Sequence, residues 1–198
     1  MSRILYFIIA VLGLVVLGGF AFVANNRTNQ SNSPTGVEGD PCPDVLLTDF
    51  QQDQAMSEVF ARTANTMTDA LQNATSTCFL TITDVVMQSV PPEIGRLRNL
   101  RYLDFAHDGI KVLPPEIGRL TRLRIINLND NDLNQVPNTL CGLVELTDLA
   151  LVRNNIKEVP SDIGCLTHLR TLHLDGNPIP SSSIEDIRQL LPQTNITF

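Results

Sequence analysis

The chain has 198 residues, enough for one domain of ordinary size and one further segment. Its formal charge is −7, and Arg3 and Arg27 are the only charged residues before position 28, so the remainder is clearly acidic. Affinity for nucleic acid depends on lysines and arginines that neutralise phosphates, and no basic stretch occurs. We therefore expect one acidic domain without a nucleic-acid partner.

The first predicted element is an apolar helix. Residues 4–24 carry no charge and would reach about 31 Å as a helix, close to the hydrocarbon thickness of a bilayer. Arg3 precedes this run, and acidic residues follow Arg27, so the positive-inside rule favours a cytoplasmic N-terminus. We expect a transmembrane signal-anchor helix over residues 1–24, with the folded part outside the cytoplasm. The alternative is a cleaved signal peptide, with small residues at Gly19 and Ala21, and a secreted protein.

A linker and a helical cap come next. Residues 25–41 are polar and rich in turn formers, which is typical of a flexible linker. Residues 42–76 are predicted to form an N-terminal cap containing an amphipathic helix within Asp49–Ala74. Its core-facing positions recur at helical spacing: Met56, Val59, Phe60, Thr63, Met67 and Leu71.

An internal repeat of 23 residues decides the fold. It aligns a column of prolines, Pro91, Pro114, Pro137 and Pro160, and several apolar columns, among them Leu103, Ile126, Leu149 and Leu172. In each unit, apolar and other residues alternate with period two. In Tyr102–Phe105, for example, Leu103 and Phe105 face one side, and Tyr102 and Asp104 face the other. Stacked units would place equivalent strands side by side in a parallel sheet with one core.

Each unit follows the pattern L-x-x-L-x-L-x-x-N-x-L, with Asp108 replacing the asparagine found at Asn131, Asn154 and Asn177. This pattern resembles the leucine-rich-repeat family. The segments Pro91–Leu97, Pro114–Leu120 and Pro160–Leu166 resemble the 23-residue repeats of the Ras-group-related proteins of plants, animals and bacteria. The resemblance implies an α/β solenoid over residues 77–180, a short horseshoe with a parallel sheet on its concave side.

The two ends of the array depart from the repeat. Stepping back 23 residues from the first clear unit gives Leu80, Ile82, Met87 and Val90, but Val85 takes the asparagine position. We therefore expect an atypical first turn and five strands in all. Residues 181–198 are predicted to form a C-terminal cap, with Ser183 as N-cap, Asp186 at the capping-box position and Pro192 ending the helix. Its core face carries Ile184, Ile187 and Leu191.

Four cysteines in a domain expected outside the cytoplasm favour disulfides. Three connectivities are open, and we prefer Cys42–Cys78, which would tie the cap to the array, together with Cys141–Cys165. The second pair is one residue out of repeat register, which places it on adjacent turns. Free buried thiols are the alternative.

No catalytic or metal-binding motif stands out. There is no Cys-x-x-Cys pair for zinc, and the acids around Asn131 lack the glycine and glutamate of a calcium loop. The sequence also lacks a phosphate-binding glycine-rich loop and a Gly-x-Ser-x-Gly elbow. We expect no enzyme activity, no cofactor, no metal and no small-molecule substrate.

The outward strand positions form the candidate binding surface, because they leave the core free and lie on a rigid sheet. Phe79, Tyr102 and Ile125 would form an apolar centre suited to a protein or peptide, with arginines 101, 124 and 170 along the edge. The full candidate set is Phe79, Tyr102, Asp104, Ile125, Asn127, Asp148, Ala150, Thr171 and His173. We therefore expect a membrane-anchored binding module. A spacer without a specific ligand is the alternative.

Overall fold

The computed structural model describes Cys42 and residues 63–198. The anchor expected over residues 1–24, the linker over 25–41 and most of the first half of the cap lie outside these residues. None of the helices among the described residues has the length and the apolar composition of a membrane span.

The described residues form a parallel sheet whose strands follow one another in chain order. From Phe79 to His173, each strand pairs with the next at an offset of one repeat, so that Tyr102 lies beside Ile125 and Leu103 beside Ile126. The strands are β1 Thr63–Ala64, β2 Phe79–Thr81, β3 Tyr102–Asp104, β4 Ile125–Asn127, β5 Asp148–Ala150, β6 Thr171–His173 and β7 Asn195–Thr197. The predicted parallel solenoid is confirmed.

The expected number of five strands is wrong, because the described region adds one strand at each end. β1 pairs Thr63 with Phe79, and β7 pairs Asn195 with Thr171. Neither offset equals the 23-residue period, so self-comparison of the sequence could not find these strands. Both strands cover an open edge of the repeat array and thereby pair backbone groups that would otherwise face solvent.

Each repeat returns to the next strand through a 3₁₀ helix that starts directly after the proline column. These helices are Pro92–Arg96, Pro115–Arg119, Asn138–Gly142 and Ser161–Cys165. The preceding proline is extended, with φ between −66° and −73°, and its carbonyl accepts the first bond of the turn. Neighbouring turns pack closely at Gly142, where a Cβ would lie 2.0 Å from the carbonyl oxygen of Gly118.

The apolar columns form one continuous core. Leu103, Phe105, Leu123 and their equivalents in the other repeats are buried. The asparagine column forms hydrogen bonds with buried backbone groups of the loops. The amide of Asn131 donates to three backbone carbonyls at 2.7–3.2 Å, those of Phe105, Leu128 and Asn129. Its oxygen accepts the backbone N–H of Ile110 at 2.8 Å.

The N-terminal cap is only partly as expected. The helix α1 spans Met67–Gln72 and is N-capped by Thr66, whose hydroxyl accepts the backbone N–H of Asp69 at 3.1 Å. Thr63 belongs to β1, so the prediction of one helix running through it is wrong. The pairing of β1 with β2 competes with helix formation at this position, and no local pattern reveals it.

The C-terminal helix α2 spans Ser181–Leu190, so it begins two residues before the predicted N-cap Ser183. Pro180 is the actual N-cap, extended at φ −61°, and it makes no side-chain capping bond. Asp186 therefore has no capping-box partner at Ser183, and this part of the prediction is wrong. Ile187 and Leu191 are buried as expected, and the helix ends before Pro192.

Both preferred cysteine pairs lie at disulfide distance. Cys42 and Cys78 have a Cα–Cα separation of 5.6 Å, and Cys78 immediately precedes β2. Cys141 and Cys165 have a Cα–Cα separation of 5.4 Å on neighbouring 3₁₀ turns. The first bridge ties the cap to the array, and the second joins two adjacent repeats.

Candidate binding surface

The first outward column of the sheet brings together the predicted apolar centre. Phe79, Tyr102 and Ile125 lie side by side on three consecutive strands, and each is half-buried. Asp148 and Thr171 continue this column on β5 and β6. We call the sheet surface opposite to the core the concave face; it changes from apolar to polar along the array.

The second outward column is less accessible than expected. Asp104, Asn127 and Ala150 were predicted as exposed contact residues, but their exposed fractions are 0%, 4% and 1%. That expectation of exposure is wrong, because the alternation of a strand says which side a residue faces and not whether neighbouring side chains cover it. These residues form the floor of the surface rather than its contacts.

Asp104 is a buried carboxylate to which three neighbouring groups donate hydrogen bonds. It accepts bonds from the Tyr102 hydroxyl at 3.0 Å, from the backbone N–H of Ala106 at 3.2 Å and from the side chain of Asn127. Burial raises the pKa of Asp104, and these three hydrogen bonds oppose the rise. Burial and the nearby Asp104 carboxylate raise the pKa of Tyr102 well above its ordinary value. The tyrosine therefore stays a hydrogen-bond donor, which holds its ring in place beside Ile125.

The polar half of the face is held by hydroxyl–carboxylate bonds. Thr147 donates to Oδ2 of Asp148, and Thr171 donates to its Oδ1. His173 lies 3.0 Å from the hydroxyl of Thr197, measured from its Nδ1, and Thr197 donates to Asp175. β7, which the sequence did not reveal, thus completes the polar end of the face.

The predicted arginine edge is partly neutralised. Arg124 donates from its Nε to Glu145 at 3.0 Å, and Arg101 lies 3.8 Å from the same carboxylate. Arg101 is buried, whereas Arg170 is exposed. The edge therefore offers less free positive charge than its three arginines imply.

Another column of residues, which the sequence analysis did not predict, lies in the loops directly after the strands. Its members have positive φ and are 23 residues apart: Asp84, His107, Asp130, Arg153 and Gly176. The guanidinium of Arg153 forms a two-pronged pair with Asp130, and His107 lies 3.6 Å from that carboxylate. The sequence signal for this column was the aspartate or glycine at positions 84, 130 and 176, because both residue types tolerate a positive φ. This column makes a charged rim beside the concave face.

The residues that the structure describes contain no cluster of three or more side chains able to hold a metal ion. The concave face presents hydrogen-bonding and apolar side chains. They lie on a sheet in which each strand from β2 to β6 is paired on both sides. Such a surface can recognise shape and polarity.

Comparisons with known proteins identify the repeats. Two leucine-rich-repeat family models match, one over residues 98–156 and the other over residues 168–190. Neither match separates the Ras-group-related repeats from other kinds, so that resemblance stays a prediction. The comparison with curated proteins found no match.

Two solved structures are similar in part. A leucine-rich-repeat protein of Leptospira interrogans is 32% identical with a TM-score of 0.62, covering 65% of this chain and 33% of that protein. This chain thus spans about a third of the length of the Leptospira protein. The plant peptide hormone receptor RGFR1, in complex with RGF2, is 32% identical with a TM-score of 0.45, covering 50% of this chain and 16% of the receptor. From the matched repeats, the one-repeat strand register and the Leptospira structure, we conclude that this chain contains leucine-rich repeats.

Proposed function

We propose that the repeat domain binds a protein or peptide partner through its concave face. The observation that carries this proposal is the column of Phe79, Tyr102 and Ile125, three half-buried apolar side chains in register on neighbouring strands. Side chains of this kind on a rigid support are the usual anchors of protein interfaces. A sheet ordered before binding also loses little conformational entropy when a partner docks.

The contact residues of this proposal are narrower than the original candidate set. Asp104, Asn127 and Ala150 are buried, so they would act by supporting their neighbours. The accessible members are half-buried: Phe79, Tyr102, Ile125, Asp148, Thr171 and His173. The partner would place apolar groups over β2 to β4 and polar groups over β5 and β6.

The test uses crosslinking and capture from intact cells with the full chain and two matched variants. Ile125→Ala removes apolar surface from the concave face, where the side chain makes no polar bond to its neighbours. Val144→Ala removes apolar surface from a residue that is 58% exposed in the loop before β5. We expect Ile125→Ala to weaken capture about 5- to 150-fold, which corresponds to a loss of about 1–3 kcal/mol.

The control Val144→Ala is expected to capture the same partner as the natural chain. Loss of capture with Val144→Ala but not with Ile125→Ala would place the site elsewhere on the domain. Absence of any specific partner would favour the spacer role, in which the domain only holds other parts of the molecule apart.

We further propose that the domain is presented outside the cytoplasm on a membrane anchor formed by residues 1–24. The apolar run and its flanking charges support this proposal. The two cysteine pairs at bonding distance also fit an oxidising compartment.

The anchor is tested by fractionation and by protease treatment of intact cells. We expect the full chain to stay with membranes after a high-salt wash and the repeat domain to be removed by external protease. A soluble product that begins near Asn25, found by N-terminal sequencing, would establish a cleaved signal peptide and a secreted protein instead.

We also propose that the domain is not an enzyme and uses no cofactor or small-molecule substrate. Binding by a preformed sheet accounts for the arrangement of the concave face without a catalytic step. The same capture experiment addresses this point, because a partner recovered unchanged and in stable complex fits a binding module.

A further inference from the structure

The asparagine column contains one acid, and its environment differs from that of the amides. Asn131, Asn154 and Asn177 each donate to carbonyls of their own loop and of the preceding repeat. Their side-chain oxygens accept backbone N–H groups of the preceding repeat. The position therefore requires a side chain that both donates and accepts.

Asp108 satisfies only the accepting half of this requirement. Its exposed fraction is 1%, and its Oδ1 accepts the backbone N–H of Val85 at 2.8 Å. Its Oδ2 is buried and has no hydrogen-bond partner among the described residues. By the repeat register, the carbonyls of Ile82, Phe105 and Ala106 correspond to the three acceptors of Asn131. An ionised carboxylate cannot donate to such groups, whereas a protonated one can.

The charged groups around Asp108 act in both directions. Asp104 on β3 and Asp84 in the loop after β2 disfavour its negative charge, and His107 in its own loop favours it. His107 is also next to Asp130 of the following repeat. Burial is the largest influence and raises the pKa of Asp108 to about 6, against the bond from Val85. Proton uptake thus falls close to neutral pH.

We propose that Asp108 is a proton-dependent latch on the first repeat. When protonated, it can donate its single O–H to one of the loop carbonyls that the asparagine amide serves in later repeats. When ionised, it leaves a buried oxygen unpaired, and the loop after β2 is held less tightly. That loop depends on Asp108 twice, because Val85 bonds to its side chain and Met87 bonds to its carbonyl at 2.7 Å.

The latch would affect a defined part of the molecule. The loop after β2 carries Val85 and Val86, which are 51% and 91% exposed, and it continues from the strand that bears Phe79. Looser packing there would loosen the N-terminal end of the sheet before the interior repeats. This inference needs no partner, so it stands or falls separately from the proposed binding function.

The experiment is hydrogen–deuterium exchange of the full chain in mild detergent at pH 5 and pH 7.5, corrected for the intrinsic pH dependence of exchange. We expect the amides of Val85 and Met87 to be protected about 10-fold more strongly at pH 5, because a carboxyl with a pKa of about 6 is mostly protonated there, whereas the same carboxyl in the opened loop is still mostly ionised. In Asp108→Asn, the protection should be equally high at both pH values. Asn is already present in three equivalent repeats, so this variant is expected to fold.

The matched control is Asp132→Asn, which removes the same charge from an exposed position in the next repeat. It should keep the pH dependence of the natural chain. A carbon-13 NMR titration of the Asp108 carboxyl gives a second measurement, expected to show a midpoint near pH 6. A midpoint near 4, or an Asp108→Asn variant that keeps the pH-dependent exchange, would overturn the proposal.

Discussion

The interior repeats and the first repeat share one strand register but differ in how their loops are held. In the interior, a buried amide such as Asn154 bonds to carbonyls of two successive repeats. In the first repeat, Val85 occupies the same position and is half exposed, and the loop depends on Asp108 of the next repeat. Strand pairing therefore sets the register in both regions, whereas the loops of the later repeats are held in addition by a buried amide.

The largest expected effect comes from removing an interior amide. Asn131→Ala should leave several buried carbonyl and N–H groups unpaired and lower the free energy of unfolding by about 3–5 kcal/mol. Urea unfolding of the variant and the natural chain measures this difference. The exposed Asn134→Ala is the control and should change stability by less than about 0.5 kcal/mol. If the two variants unfold alike, the buried amide does not stabilise the interior repeats as argued.

An intermediate effect is expected from the disulfides, which test the two regions differently. Replacing Cys42 and Cys78 by serine should cost about 3–4 kcal/mol, because the bridge closes a separation of 36 residues and also holds the cap. Replacing Cys141 and Cys165 should cost somewhat less, because the separation is 24 residues between repeats already packed together. Calorimetry of the two double variants shows which of them loses more stability. A larger loss for the second pair would mean that the cap adds little to stability.

The smallest expected effect is a gain in stability that depends on pH. A carboxyl whose pKa is raised on folding stabilises the fold fully below its unfolded value near 4, and this contribution is lost as the pH rises through about 6. Asp108→Asn should therefore be about 1–3 kcal/mol more stable than the natural chain at pH 7.5 and about equal to it at pH 4. Urea unfolding across this pH range measures the difference. A constant difference at all pH values would indicate a packing effect instead of a proton.

Much of the candidate surface could be predicted, but its accessibility could not. The two-residue alternation correctly placed Tyr102 and Ile125 on one side of the sheet, since a strand allows no other arrangement. It could not show that Asp104 is covered, because that depends on Tyr102 and Asn127, which approach it from the same and the adjacent strand. The positive-φ column was only weakly signalled, because aspartate, histidine and glycine favour this conformation but Arg153 does not.

The 23-residue period in the sequence is enough to set the repeat length, the register of the repeat strands and the core columns, because it leaves one consistent way to stack the units. It also places Cys141 and Cys165 on adjacent turns, whereas Cys42 lies outside the repeats. The ends were decided by tertiary structure alone. β1 and β7 pair at offsets of their own, and helix α2 begins at Ser181 and not after Ser183. An end strand is selected by the open edge that it covers, and that edge exists only once the neighbouring repeats have folded.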